Sequence, residues 1–149
     1  MGNIQHFAQF LTTLCSSVFV GAAVYINLVE HPARMACGTI LAVTEFAPSY
    51  KRATVMQASL AACGFVASVV AWLAGASGWW LIGGILLGSV IPFTLFFIMP
   101  TNKELLSPSL DKASERANQL LSRWGRLHAV RSVLSTMALL IFLTCLPSQ

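Results

Sequence analysis

Long apolar runs alternate with short polar stretches along this chain, and four of the runs, 7–29, 53–74, 79–99 and 129–146, have the length of a membrane span. A transmembrane helix needs about 20 mostly apolar residues to cross about 30 Å of hydrocarbon. Four such runs predict an all-α, integral membrane four-helix bundle of up-down topology, with 1–149 as a single transmembrane domain and both termini on the same side. The turn at 75–78 is so short that the second and third spans must be antiparallel neighbours.

Finer signals lie within and between the runs. Pro92 is expected to bend the third span and Pro100 to end it. Ser107-Pro108 reads as an N-cap followed by proline at the first helical position, so the fourth helix is expected to start at about 108, well before its span. Leu120, Leu121, Trp124 and Leu127 recur there at helical spacing, and Trp124, His128 and Arg131 continue the stripe. The segment 35–52 is mixed in character. Tyr50 suits one membrane rim, and Trp72, Trp79 and Trp80 suit the other. Gly84 and Gly88 have the spacing that lets helix backbones approach closely, either within the chain or in a homo- or hetero-oligomer.

Composition supports a lipid environment. Hydrophobic residues make up 56% of the chain and charged residues 9%, too few to clothe a water-soluble surface. All fourteen charged side chains fall in two windows, 30–52 and 103–131. The first window has three basic and two acidic residues and the second six and three, so the loops carry +1 and +3. Basic loops favour the cytoplasmic or matrix face, which leaves the termini outside or lumenal. This bias explains the basic balance without a nucleic-acid partner, which would need a dense basic stripe.

The start of the chain lacks the positive region of a secretory signal, so the first run is read as a retained helix. Gly2 does not fit a myristoylation signal, because position 6 is His. Cys15, Cys37, Cys63 and Cys145 lack paired metal spacing, and those inside spans read as small hydrophobes rather than disulfide partners.

The chemistry concentrates at the charged rim. His31 and Arg34 end the first span, and His128 and Arg131 begin the last, as two His-x-x-Arg pairs at one membrane depth. An arginine at mid-membrane costs roughly 2.5 to 3.5 kcal/mol, and such residues face a bundle interior or snorkel to the interface. If the first and fourth helices are neighbours, the two pairs form a cationic pocket lined by Asn27, Glu30, Asn102 and Trp124. Such a pocket suits an anionic or enolisable ligand, with arginine holding an oxyanion and histidine moving a proton. The alternative is that Glu30 pairs with Arg34 or Arg131 and locks the bundle. No metal site is predicted, because His-x-x-Arg is not a metal spacing and arginines repel cations. Iron bound by the histidines and Glu30, or a haem between His31 and His128, stays open as a lesser reading.

The segments Asn27-Leu28-Val29-Glu30-His31-Pro32-Ala33-Arg34, Met99-Pro100-Thr101-Asn102 and Leu127-His128-Ala129-Val130-Arg131, with Leu120, Leu121 and Trp124, carry a resemblance. In order and spacing the chain resembles a family of small four-helix membrane proteins whose named members are the anthrone oxygenases of aromatic polyketide biosynthesis. The resemblance implies a monooxygenase without an organic cofactor or metal, converting a planar phenolic anthrone to an anthraquinone. On this chain it implies His31 or His128 as the base, Arg34 and Arg131 at the oxyanion, and Trp124 stacked on a hydrophobic small-molecule substrate. Two competing readings are a non-catalytic membrane subunit or scaffold of a larger complex, and a haem- or quinone-binding membrane protein.

Overall fold

The computed structural model describes residues 2–146. Among them are four helices long and apolar enough to cross a membrane: α1 (Gly2–Ala36), α2 (Thr39–Leu73), α3 (Gly78–Leu105) and α4 (Glu115–Cys145). Each packs on the next, and α4 packs back on α1, which closes an up-down bundle. The chain is therefore an all-α integral membrane protein, with outward side chains such as Phe7, Val55, Phe96 and Val133 exposed for lipid to cover.

The α2–α3 turn is built as expected for antiparallel neighbours. Gly75 adopts φ 103, while its N–H reaches the Trp72 carbonyl and the Ala76 N–H reaches that of Ala71, both at 3.0 Å. This Schellman arrangement satisfies carbonyls that a helix end leaves open, and its left-handed residue favours glycine. Of the three tryptophans expected at this rim, Trp72 and Trp79 are exposed but Trp80 is buried. Trp80 instead stacks on Phe142 at 5.3 Å between ring centroids, inside the bundle.

Three element boundaries differ from the sequence reading. The stretch before the second span is already helical, with Pro48 inside α2, because Ala42, Val43 and Phe46 bury one face of it against the lower core. Residues 107–114 form turns rather than a helix start. The Ser114 side chain accepts the Ala117 N–H and caps α4, a contact worth about 1 kcal/mol. Pro100 does not end α3, which continues to Leu105.

That continuation has a specific cause. Residues Ile26–Glu30 in α1 and Thr94–Ile98 in α3 form π-helical turns, closed by His31 N–H to Ile26 O and Met99 N–H to Thr94 O. Pro32 and Pro100 follow directly. A proline lacks an N–H and collides with the carbonyl four residues earlier, here that of Leu28 or Phe96, each at the centre of a π turn. The wider turn absorbs the collision, and the helix resumes beyond it.

Gly84 meets α2 so closely that a Cβ there would lie 1.8 Å from Ser68 Oγ, and a Cβ at Gly88 would lie 3.1 Å from the Phe65 ring. The close approach allowed by this glycine pair is thus made within the chain, where the sequence had left open a surface for a second copy. Apolar side chains pack in two clusters, one around Phe19, Trp80, Leu87 and Phe142 and one around Phe46, Ile98, Leu121 and Trp124. On α2 and α4 a polar band, Gln57, His128, Arg131 and Ser132, falls between them.

Candidate functional site

The packing of α1 against α4 brings the two His-x-x-Arg segments together, but their members take different places. His128 is buried, and its Nδ1 lies 2.8 Å from Asn27 Oδ1. Asn27 Nδ2 donates to the Gly125 carbonyl at 3.2 Å, and Ser132 Oγ donates to Asn27 Oδ1 at 2.6 Å. The carbonyl fixes the amide orientation, because only the NH₂ end can donate to it. Asn27 Oδ1 must then accept from the ring, which puts the proton of a neutral His128 on Nδ1 and the lone pair on Nε2.

His31 occupies a different position. Its ring lies 5.4 Å from that of Trp124, and a Cβ on Gly125 would come within 2.5 Å of its Nε2. Trp124 in turn stacks on His128 at 4.8 Å. His128 lines the central cavity of the bundle and His31 does not. Of the two histidines suggested as bases, His128 alone is in the cavity wall.

The arginines also separate. Arg34 is buried and paired with the carboxylates of Glu30 and Glu45, and Ser49 joins the cluster. Glu30 therefore pairs with Arg34 within α1, and the contact to another helix is made by Glu45 of α2. Arg131 has no carboxylate partner among the described residues. It donates to Gln57 Oε1 at 2.7 Å and lies over the Phe19 ring at 5.5 Å. A guanidinium is permanently charged, so Arg131 brings an uncompensated cation to the cavity.

The cavity is small, about 20 Å³, room for about one water molecule. Glu30, Arg34, Gln57, Asn102, Trp124, His128 and Arg131 all contribute to its wall. Asn27 does not line it and meets it only through its hydrogen bond to His128. Several buried polar atoms there lack a hydrogen-bond partner: both amide atoms of Asn102, Gln57 Nε2 and Arg131 Nε. Buried polar groups are nearly always paired, and an unpaired one costs about 1 to 3 kcal/mol. All of these atoms belong to residues that line the one cavity. No three His, Cys, Asp or Glu side chains among the described residues come together as a metal-binding group.

Gln57, Ser49, Glu45 and Ser132 were not singled out in the sequence, and Tyr50 was noted there only as a rim residue. Gln57 had the best available signal, a lone amide within an apolar span, but it has no repeat or spacing to mark its partner.

The family model described as anthrone oxygenase matches residues 46–141, well over half of the chain. The chain belongs to the anthrone oxygenase family. No curated protein and no solved structure gives a significant match. The family region includes Gln57, Asn102, Trp124, His128 and Arg131, whereas α1 and its Asn27, Glu30, His31 and Arg34 precede it. The family's characteristic stretch thus supplies three walls of the cavity, and α1 closes the fourth with Glu30 and Arg34.

Proposed function

We propose that this membrane protein is a monooxygenase that oxidises a planar phenolic ketone of the anthrone type, with His128 as the base and Arg131 as the oxyanion holder. The observation that carries the reading is the pairing of a buried, Asn27-oriented imidazole with an arginine free of carboxylates at one cavity. Family membership names the substrate class.

The chemistry follows from these groups. His128 Nε2 removes a proton from the methylene carbon of the anthrone, and the negative charge moves onto the ketone oxygen. Arg131, with the amides of Gln57 and Asn102, stabilises that oxygen in a site shielded from water. The carbanion is electron-rich and transfers an electron to dioxygen, and the resulting radical pair combines as a carbon-bound peroxide. Loss of the second methylene proton and cleavage of the O–O bond give the new carbonyl and water. The methylene is oxidised by four electrons, dioxygen accepts all four, and one of its atoms remains in the quinone. Because the substrate is the reductant, the balance requires no organic cofactor or metal. The charged helix ends lie at the cytoplasmic or matrix face, as the basic loop bias favours.

Oxygen uptake by purified protein in nanodiscs, corrected for spontaneous oxidation of the anthrone, tests this reading. Uptake of one dioxygen per anthrone is expected, and Arg131→Gln is expected to slow it by about 100-fold, the typical effect of losing one oxyanion donor. Uptake no faster than in empty nanodiscs would refute it.

A further inference from the structure

A second opening adjoins the cavity. A groove of about 100 Å³ runs between α2 and α3, walled by Ala58, Ala61, Val90, Ile91 and Leu95, and it ends on Tyr50, Gln57 and Arg131. Tyr50, Thr54, Gln57 and Arg131 line the groove and the cavity alike. The 2.7 Å hydrogen bond between Arg131 and Gln57 therefore spans the boundary between the two. Among its lining residues Thr54, Ala58 and Leu95 are exposed, so the groove opens onto the lipid-covered surface.

We infer that this groove is the binding seat through which a flat, apolar molecule bearing a carbonyl or phenolic oxygen reaches Arg131 from within the bilayer. The walls and the inner end of the groove define the occupant. Its walls are small or apolar, with Ala58 and Ala61 leaving on α2 the space that larger side chains would fill. Its inner end offers Gln57, 2% exposed, whose Nε2 has no partner, and Arg131, whose Nε has none. Both are donors, and both suit a single electronegative oxygen at the tip of an apolar body. The cavity alone has room for about one water molecule, so the ring system lies in the groove while its oxygen engages the inner donors. The π turn Thr94–Ile98 borders the groove through Thr94 and Leu95, which places a non-α segment beside the space that must widen.

The inference rests on the oxygenase reading only for the identity of the reacting substrate, and its test measures binding without turnover. The probe is 1,8-dihydroxyanthraquinone, which has no methylene left to oxidise, titrated into the full-length protein in nanodiscs and followed by quenching of tryptophan fluorescence. Ala58 is exposed and lines the groove but not the cavity. Ala58→Trp is expected to weaken binding by at least about 10-fold, and Ala58→Leu by less, as steric loss in an apolar pocket is worth about 10- to 200-fold. Ala62→Trp lies on the same helix but faces a different apolar groove, against α1, and is expected to bind as wild type. Saturable binding lost in Ala58→Trp and kept in Ala62→Trp supports the groove even if no anthrone is oxidised, in which case only the oxygenase reading fails. Absence of saturable binding to wild type, or equal affinity in Ala58→Trp, overturns it.

Discussion

His128 Nδ1 lies 2.8 Å from the side-chain oxygen of Asn27, across the α1–α4 contact and 101 positions away in sequence. Asn27 anchors three groups at once, since it also bonds the Gly125 carbonyl and Ser132. The imidazole is thereby held in one tautomer with its lone pair on Nε2, as in sites where a second residue orients a catalytic histidine. In the proposed mechanism Asn27 is a positioning residue that acts through His128.

Replacing Asn27 by leucine removes the acceptor and leaves His128 Nδ1 unpaired, while the Gly125 carbonyl keeps its place in the α4 helix ladder. A stability loss of about 1 to 3 kcal/mol is expected in thermal unfolding. The kcat for anthrone is expected to fall about 10-fold or more with KM little changed, because Asn27 does not line the cavity. A change confined to KM would instead assign Asn27 to substrate binding.

Gly125 is required by a neighbour rather than by its own backbone. A Cβ would meet His31 Nε2 at 2.5 Å and Cδ2 at 2.7 Å, so Gly125→Ala is expected to cost about 1 to 3 kcal/mol by overpacking. His31→Ala in the same chain removes the collision. The double variant should therefore be more stable than the sum of the two single effects, and strict additivity would place the His31 ring elsewhere.

Gly84 tests whether the glycine pair serves packing within the chain. Its missing Cβ leaves the room that Ser68 Oγ occupies, so Gly84→Val is expected to lower the thermal midpoint while size-exclusion elution of the folded fraction stays unchanged. A variant of wild-type stability whose oligomeric state shifts would instead assign the pair to an interface between copies.

Much of this architecture was legible in the sequence, because apolar runs of spanning length leave few alternatives to helices in a bilayer. The site was legible only in part. Repetition of His-x-x-Arg drew attention to the rim where the cavity lies, and Trp124, His128 and Arg131 do share one cavity-facing stripe. The repetition did not reveal that the two pairs play unequal parts: Arg34 is held by Glu30 and Glu45, and His31 packs against Trp124 outside the cavity. Glu45 lay in a stretch whose helical character depends on tertiary burial of Ala42, Val43 and Phe46, so its approach to Arg34 had no local signal. Ser107-Pro108 carried a sound local signal for a helix start, yet Ser114 prevailed with an actual side-chain cap. The π turns were hidden for a related reason: Pro32 and Pro100 announce a break, and only the fold shows that a wider turn lets each helix continue.

The central claim is that His128 takes a proton from the substrate carbon, a step that can be observed without oxidation. Under strict exclusion of oxygen, an anthrone in deuterated buffer exchanges its methylene protons, and mass spectrometry follows that exchange in the presence of nanodisc-embedded protein. Wild type is expected to accelerate the exchange well above empty nanodiscs, and His128→Gln is expected to lower the acceleration by about 100-fold or more, within the usual contribution of a general base. Exchange by His128→Gln at the wild-type rate would contradict the claim.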